Sequence, residues 1–321
     1  MDSIGVLGLG RMGLPVALRF VAAGYPVCVF DPDTNRVRLA ESHGAVAVAG
    51  ESEVASRSDI LVTVLPGPPE LRRAMLGPGQ AVTGLQAGAC WVDLTSNDPR
   101  VATEVAAAVT AVGALSLGAP MAGGPADAAA GTLRFYIGGS EDALARAAPV
   151  LKALGGPSNR VETGADIASG YVTKLLANTL WFGQVTAVTE ALLLGQALGL
   201  DLETLRGALE TSAGGSHFMT HHLDALLRGD YMESFGIDRI VEELDTVTDL
   251  AAATETPAGV TGMVATLHRE ASDRFGPVDG ELLVAKLLEQ RAGRLLRAKL
   301  PRPITGSGTS APQSESGEPE S

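Results

Sequence analysis

An α/β domain of the doubly wound type, followed by an all-helical domain, is the fold class this sequence predicts, and three observations predict it. Short, continuously apolar runs alternate with Ala-rich helical stretches through the first half of the chain. A glycine-rich turn, Gly8-Leu9-Gly10-Arg11-Met12-Gly13, separates the first apolar run from the first helical pattern. Beyond about Asp166 the strand signals stop, and good helix formers keep a helical period.

Taken in order, residues 3–7, 26–30, 60–65, 90–94 and 134–138 are the clearest strand candidates. They are apolar throughout instead of alternating, as strands covered by helices on both faces are. Residues 14–23 read as the helix after the glycine turn. The stretch 167–198 would run about 48 Å as a helix, long enough to link the two domains. The division is therefore 1–164 for a Rossmann-type dinucleotide-binding domain and 165–300 for a helical substrate and dimerisation domain. Residues 301–321 are rich in Pro, Gly, Ser and Glu and are expected to form a disordered tail.

At 321 residues the chain is long enough for two cores, which should be aliphatic because aromatics make up only 4%. A net charge of −13, with no clustered Lys and Arg, excludes a nucleic-acid partner. No apolar run is long enough to span a membrane, and residues 1–10 lack the basic start of a leader, so a cytoplasmic location is expected. Cys28 and Cys90 each lie inside an apolar run and read as small core filler, not as a disulfide. Only four of the 24 cations are lysines, Lys152, Lys174, Lys286 and Lys299, so a lysine in a suggestive place carries extra weight.

The three glycines have separate tasks in a dinucleotide site. Gly8 makes the tight turn, Gly10 lets a pyrophosphate approach the backbone, and Gly13 lets helix pack on strand, with Leu9, Arg11 and Met12 completing the cradle. Asp31 follows the second strand, eighteen positions after Gly13, where a carboxylate meets the adenosine ribose hydroxyls. Asp31 and Asp33 together repel a 2′-phosphate, while Arg36 and Arg38 come later, so NAD is preferred to NADP. Gly170, Lys174 and Asn178 are spaced by four and share one helical stripe, with roughly 40° of drift per step. A glycine for close approach, an ammonium for proton transfer and an amide to orient it make an active-site face.

With these motifs the chain resembles the β-hydroxyacid dehydrogenase family, that of 3-hydroxyisobutyrate dehydrogenase, tartronate semialdehyde reductase and, more distantly, 6-phosphogluconate dehydrogenase. Besides the glycine turn and the Gly170–Asn178 segment, Leu65-Pro66, Asp93-Leu94-Thr95-Ser96 with Pro99, Ala119-Pro120-Met121-Ala122-Gly123-Gly124, Gly131-Thr132-Leu133 and Gly138-Gly139 carry the resemblance, which covers about 3–297. It implies hydride transfer between a nicotinamide and a small 3-hydroxy acid or related alcohol or semialdehyde. Lys174 would be general acid/base and Asn178 would position it. Leu65, Pro66, Thr95 and Ser96 would contact the cofactor, and Ala122, Gly123, Gly124 and Gly170 would contact the substrate, the two loop glycines through backbone N–H groups. A lysine at its ordinary pKa of about 10.4 is a poor base at neutral pH, so burial should lower it. A homodimer or higher homo-oligomer is expected, because so long an apolar helix is hard to bury in one small domain.

Three residues depart from the family pattern: Gly118 for Asp, Ala122 for Ser, and Glu242 for Lys in the stretch 235–244. The lost Ser hydroxyl is worth about 1.5–3 kcal/mol against a carboxylate. With charge reversed at Glu242, a substrate bearing an amine or several hydroxyls is expected in place of a small carboxylate held by two cations. An imine reductase is the nearest alternative, but such enzymes usually carry Asp or Tyr where Lys174 stands; a non-catalytic cofactor-binding module would not need Lys174 and Asn178 together. His217, His221 and His222 have metal-like spacing without a third ligand in register, and no metal is expected. Trp181 and Phe182 read as core or subunit contact.

Overall fold

A computed structural model describes residues 1–233 and 235–297. The tail expected at 301–321 lies outside the described residues. The chain opens with β1 (Ile4–Leu7), α1 (Gly13–Ala22), β2 (Val27–Phe30), α2 (Thr34–Ser42), β3 (Val46–Ala47), α3 (Glu51–Ser56) and β4 (Ile60–Thr63). It continues with α4 (Pro68–Met75), α5 (Ala81–Gly84), β5 (Cys90–Asp93), α6 (Pro99–Ala111), β6 (Leu115–Gly118), β7 (Met121–Ala122), α7 (Pro125–Ala130), β8 (Arg134–Gly139), α8 (Glu141–Gly155) and β9 (Arg160–Gly164). Only helices follow among the described residues: α9 (Ile167–Ala197), α10 (Leu202–Glu210), α11 (His217–His221), α12 (Leu223–Arg228), α13 (Ile237–Ala253), α14 (Gly259–Phe275) and α15 (Leu283–Ala292).

The strands form one sheet in the order β3-β2-β1-β4-β5-β6-β8-β7, with β9 beside β8. From β1 the chain winds outward through β2 and β3, then returns and winds the other way through β4, β5 and β6. All those pairs are parallel, with Ile4 opposite both Val27 and Ile60. The reversal beside β1 leaves a crevice at the carboxyl ends of β1 and β4, where ligands of such sheets bind. β8 pairs antiparallel with β6 and β7 and parallel with β9.

Four strands escape the sequence reading because none shows a long apolar run. β3 and β7 are two residues long, β6 (Leu-Ser-Leu-Gly) breaks its apolar run, and β9 (Arg-Val-Glu-Thr-Gly) is a polar edge. The longer strands are buried on both faces, by Val16 and Phe20 on one side and Leu71, Val101 and Val105 on the other. Burying an aliphatic side chain of this kind stabilises the fold by about 1.5–3 kcal/mol.

The helix α9 spans 31 residues, about 46 Å, and is capped by Asp166, whose side chain accepts from the Ala168 N–H at 2.8 Å. Its first turns pack on β6, β8 and β9, and Ile167 and Tyr171 join a core of the sheet domain. Its later turns pack on α10, α11 and α13 to α15, where Val185, Val188 and Leu192 join the helical core. One helix thus carries side chains from the sheet into the second domain. Among the described residues no helix is long and apolar enough to cross a membrane.

Candidate active site

The glycine turn follows β1, and the three glycines differ in what surrounds them. Gly8 has φ +92°, and a Cβ there would lie 2.3 Å from the Val64 carbonyl oxygen. One on Gly13 would lie 2.0 Å from the Gly8 carbonyl oxygen, so both positions exclude any side chain. At Gly10 a Cβ would meet only Arg36 Nη1, at 3.9 Å, so this glycine leaves an open approach to the backbone. Helix α1 has no side-chain cap and no acid in its first turn, so nothing negative competes with an anion at its positive end, although the Leu14 N–H is given to the Gly10 carbonyl at 3.1 Å and Pro15 has none. These residues fit a dinucleotide pyrophosphate.

Asp31 lies beside the turn as expected, but it faces inward. It is 6% exposed; Oδ2 accepts from the Leu9 N–H at 2.7 Å and Oδ1 from the Asp33 N–H at 2.8 Å. Arg11 belongs to the turn by its backbone only. Its guanidinium crosses to the helical domain, donating to Asp279 Oδ2 at 2.6 Å and to the Glu233 carbonyl at 2.5 Å. Those bonds draw the loops before α13 and α15 over the carboxyl end of the sheet.

Leu65 and Thr95 meet at the ends of β4 and β5, where the Leu65 N–H donates to Thr95 Oγ1 at 3.1 Å. The Thr95 hydroxyl, expected at the nicotinamide ribose, is thus engaged in tying two loops together. Behind it the buried Asp93 accepts from Thr63 Oγ1 at 2.7 Å, the Thr95 N–H at 3.1 Å and the Tyr171 hydroxyl at 2.8 Å. Burial pushes the Asp93 pKa up, and these donors oppose the shift. The same cluster accounts for Gly118. A Cβ there would stand 2.6 Å from Tyr171 Cε2, so the residue that departs from the family pattern makes room for the ring that reaches Asp93.

Lys174, Asn178 and Glu243 form a hydrogen-bonded chain. Lys174 Nζ donates to Asn178 Oδ1 at 3.0 Å, and Asn178 Nδ2 donates to Glu243 Oε2 at 2.6 Å. Burial lowers the Lys174 pKa, while Glu243 and Glu281 favour its charged form. Burial raises the Glu243 pKa, opposed by Lys174, by the Asn178 amide and by the Ser96 hydroxyl. Ser96 brings the chain to the end of β5, so the ammonium stands at the crevice and not in bulk water. A desolvated ammonium oriented by an amide gives up its proton more readily than a solvated lysine does.

Sequence reasoning missed Glu243 because attention fell on its neighbour. The signal was present: the buried face of α13 runs Ile237, Ile240, Glu243, Leu244, Val247, and one member of that helical stripe is a carboxylate. Glu242 is exposed and pairs with Arg239 Nη1 at 2.8 Å. The charge reversal expected there is offset one turn earlier, and Arg239 lies over Gly67, just beyond Leu65-Pro66.

The remaining expected contacts divide. Gly170 is not on the substrate side: a Cβ there would be 2.6 Å from the Tyr136 carbonyl oxygen, so it serves close packing of α9 on β8. The stripe drifts as the helix leaves the sheet, and only Lys174 and Asn178 face the crevice. Ala122 is in the edge strand β7, opposite Arg134. Gly123 has φ +117°, as a backbone nest requires, but the Gly124 N–H already donates to Asp127 Oδ2 at 2.8 Å. The two-glycine nest therefore has one of its donors committed. Trp181 packs against His222 with ring centroids 4.9 Å apart, beside His217, and Phe182 is core. No group of three or more potential metal ligands occurs among the described residues. Both cysteines are buried and free.

Comparison with known proteins agrees with this geometry. Residues 3–165 match the family model for the NAD binding domain of 6-phosphogluconate dehydrogenase. Residues 168–288 match that for the NAD-binding domain of NADP-dependent 3-hydroxyisobutyrate dehydrogenase. The 2-(hydroxymethyl)glutarate dehydrogenase of Eubacterium barkeri is 31% identical over 261 residues, 81% of this chain and 86% of that protein. A 3-hydroxyisobutyrate dehydrogenase from Mycobacterium tuberculosis, solved with L-serine, superposes with a TM-score of 0.82 at 27% identity, covering 89% of this chain and 99% of that one. An imine reductase from Myxococcus stipitatus superposes at 0.62 and 20% identity over 90% and 99% of the two chains, a likeness of fold alone.

Proposed function

Because the chain belongs to the β-hydroxyacid dehydrogenase family of 3-hydroxyisobutyrate dehydrogenase, we propose that it is an NAD(P)-dependent oxidoreductase acting on a small 3-hydroxy acid or a related alcohol or semialdehyde. The observation that carries this reading is the Lys174–Asn178–Glu243 chain at the carboxyl end of the sheet. The nicotinamide, when bound, accepts or supplies the hydride. Gly8 to Gly13 would hold its pyrophosphate, Asp33 would face the adenosine ribose beside the inward-turned Asp31, and Leu65, Pro66 and Ser96 would flank the nicotinamide end. In oxidation, neutral Lys174 takes the hydroxyl proton at Nζ; in reduction, the ammonium returns it to the carbonyl oxygen. Asn178 Oδ1 holds Nζ in place, and Glu243 Oε2 holds Asn178. The two acids at the ribose favour NAD over NADP.

The domain division is drawn at 164, where β9 ends and α9 is about to begin. Dimerisation is assigned to the outer face of α9, where Leu176, Leu180 and Leu194 are exposed, as are Leu198 just beyond its end and Val260 and Met263 of α14. Large apolar side chains that share a face and find no cover within one copy suit a contact between copies.

Oxidation of a panel of hydroxy acids, amino alcohols and polyols, followed by absorbance with NAD and with NADP, tests the reading. Lys174→Ala should lower turnover by roughly 10² or more while leaving dinucleotide binding intact. No turnover of any member of the panel, or a variant as active as wild type, would overturn it.

A further inference from the structure

Glu243 is only 8% exposed, and its two carboxylate oxygens differ in what they meet. Oε2 accepts from Asn178 Nδ2 at 2.6 Å, whereas Oε1 is buried and has no hydrogen-bond donor among the described residues. A buried acceptor left without a donor is costly, so its place beside the proton-transfer group calls for a donor carried by a ligand. Charge points the same way. Glu243 and Glu281 both favour the charged form of Lys174. Oxidation requires Lys174 to be neutral, and in that state the two acids lose the cation that balances them. The rim of the crevice adds no excess of positive charge. Arg239 Nη1 is 2.8 Å from Glu242 Oε2 and its Nε 3.7 Å from Asp238 Oδ2, while Arg11 is paired with Asp279. On the opposite wall Ala122 has no hydroxyl and the Gly124 N–H is given to Asp127, so a carboxylate is held there by fewer donors.

We infer that the preferred substrate is an amino alcohol, bearing a primary ammonium and no carboxylate, whose ammonium donates to Glu243 Oε1. This rests on the reading of the crevice as a dehydrogenase site, and it selects the alcohols of that reading over the hydroxy acids. In oxidation the carbinol carbon gives its hydride to the nicotinamide and the hydroxyl gives its proton to Lys174 Nζ, leaving an amino aldehyde or amino ketone. The substrate's ammonium replaces the positive charge that Lys174 must give up. A neutral hydroxyl in its place makes the weaker bond, because a bond between two charged groups exceeds one to a neutral donor. A carboxylate there adds a negative charge beside two others and brings no donor.

The test compares 3-aminopropan-1-ol, propane-1,3-diol and 3-hydroxypropanoate as substrates of the full chain, with NAD and with NADP at saturation. The three share one reacting carbinol and differ at the far end. kcat/KM should fall in that order, by about tenfold or more from the amine to the diol, the size of one bond to a charged group, and most of the difference should lie in KM. Glu243→Gln keeps an acceptor for Asn178 and removes the charge, so it should bring the ratio of amine to diol close to one. A general loss of base strength or of folded protein cancels in that ratio. Turnover of 3-hydroxypropanoate as fast as that of the amine overturns the inference in wild type alone, whether or not the variant folds. An amine-to-diol ratio unchanged in Glu243→Gln overturns it as well, and both results leave the dehydrogenase reading standing. No turnover of these three or of any hydroxy acid, amino alcohol or polyol would remove that reading and the inference with it.

Discussion

Asn178 donates through Nδ2 to Glu243 Oε2 at 2.6 Å, and that bond determines which end of the amide faces Lys174. With the amide nitrogen committed to a carboxylate, the amide oxygen is turned to the ammonium, which it accepts from at 3.0 Å. Glu243 acts on the proton-transfer group twice, by orienting its partner and by favouring its charged form.

Glu243→Gln separates those two actions. The glutamine oxygen still accepts from Asn178, but the charge that favours the ammonium is gone, so the Lys174 pKa falls further. Oxidation requires neutral Lys174, so kcat/KM rises with pH through that pKa. The rising limb should move to lower pH in the variant, and superimposable profiles would remove Glu243 from the mechanism.

Tyr171 and Gly118 are predicted to fail together. Tyr171→Phe deprives buried Asp93 of one donor and should cost about 1–3 kcal/mol in urea unfolding. Gly118→Asp, which restores the family's usual residue, places a Cβ 2.6 Å from Tyr171 Cε2 and should cost about 1–3 kcal/mol by overpacking. A Gly118→Asp protein as stable as wild type would show that Tyr171 does not set the space.

His268 makes stability depend on pH. It is fully buried, its Nδ1 hydrogen-bonds to the Val264 carbonyl at 2.9 Å, and burial pushes its pKa from 6.5 down to about 4. The folded protein therefore resists a proton that the unfolded chain accepts. This contribution is fully present above about pH 6.5 and is lost as pH falls towards 4, by about 3 kcal/mol in all. His268→Leu should flatten the acid side of the unfolding free energy; an unchanged slope would contradict it.

Leu180 is 68% exposed and Leu194 62% exposed on the outer stripe of α9. If that stripe joins two copies, wild type should have the mass of a dimer or larger in light scattering after gel filtration. Leu180→Arg with Leu194→Arg should give monomers at the same concentration. A monomeric wild type would refute the assignment.

The long elements were legible because their signals are local. Gly8, Gly10 and Gly13 between an apolar run and a helix announce a nucleotide turn, and spacing by four places Lys174 and Asn178 on one face of α9. The short edge strands β3 and β7 were not legible, because two residues carry no periodicity. The reading of Gly170 went astray for a different reason. A helical stripe says which residues share a face, but not that α9 crosses the edge of the sheet before it reaches the crevice.

Residue order and chemistry therefore settle the fold class, the glycine turn and the shared helix face of Lys174 and Asn178, since each depends on neighbours within a few turns or a single strand. Which partner occupies each polar group depends on contacts across the fold. Asp31 was spent on Leu9 and Asp33, Arg11 reached Asp279 at 268 residues' remove, and Glu243 rather than Glu242 faced Asn178. A side chain's spacing along the chain limits where it can point, and only packing of distant elements decides what it meets there.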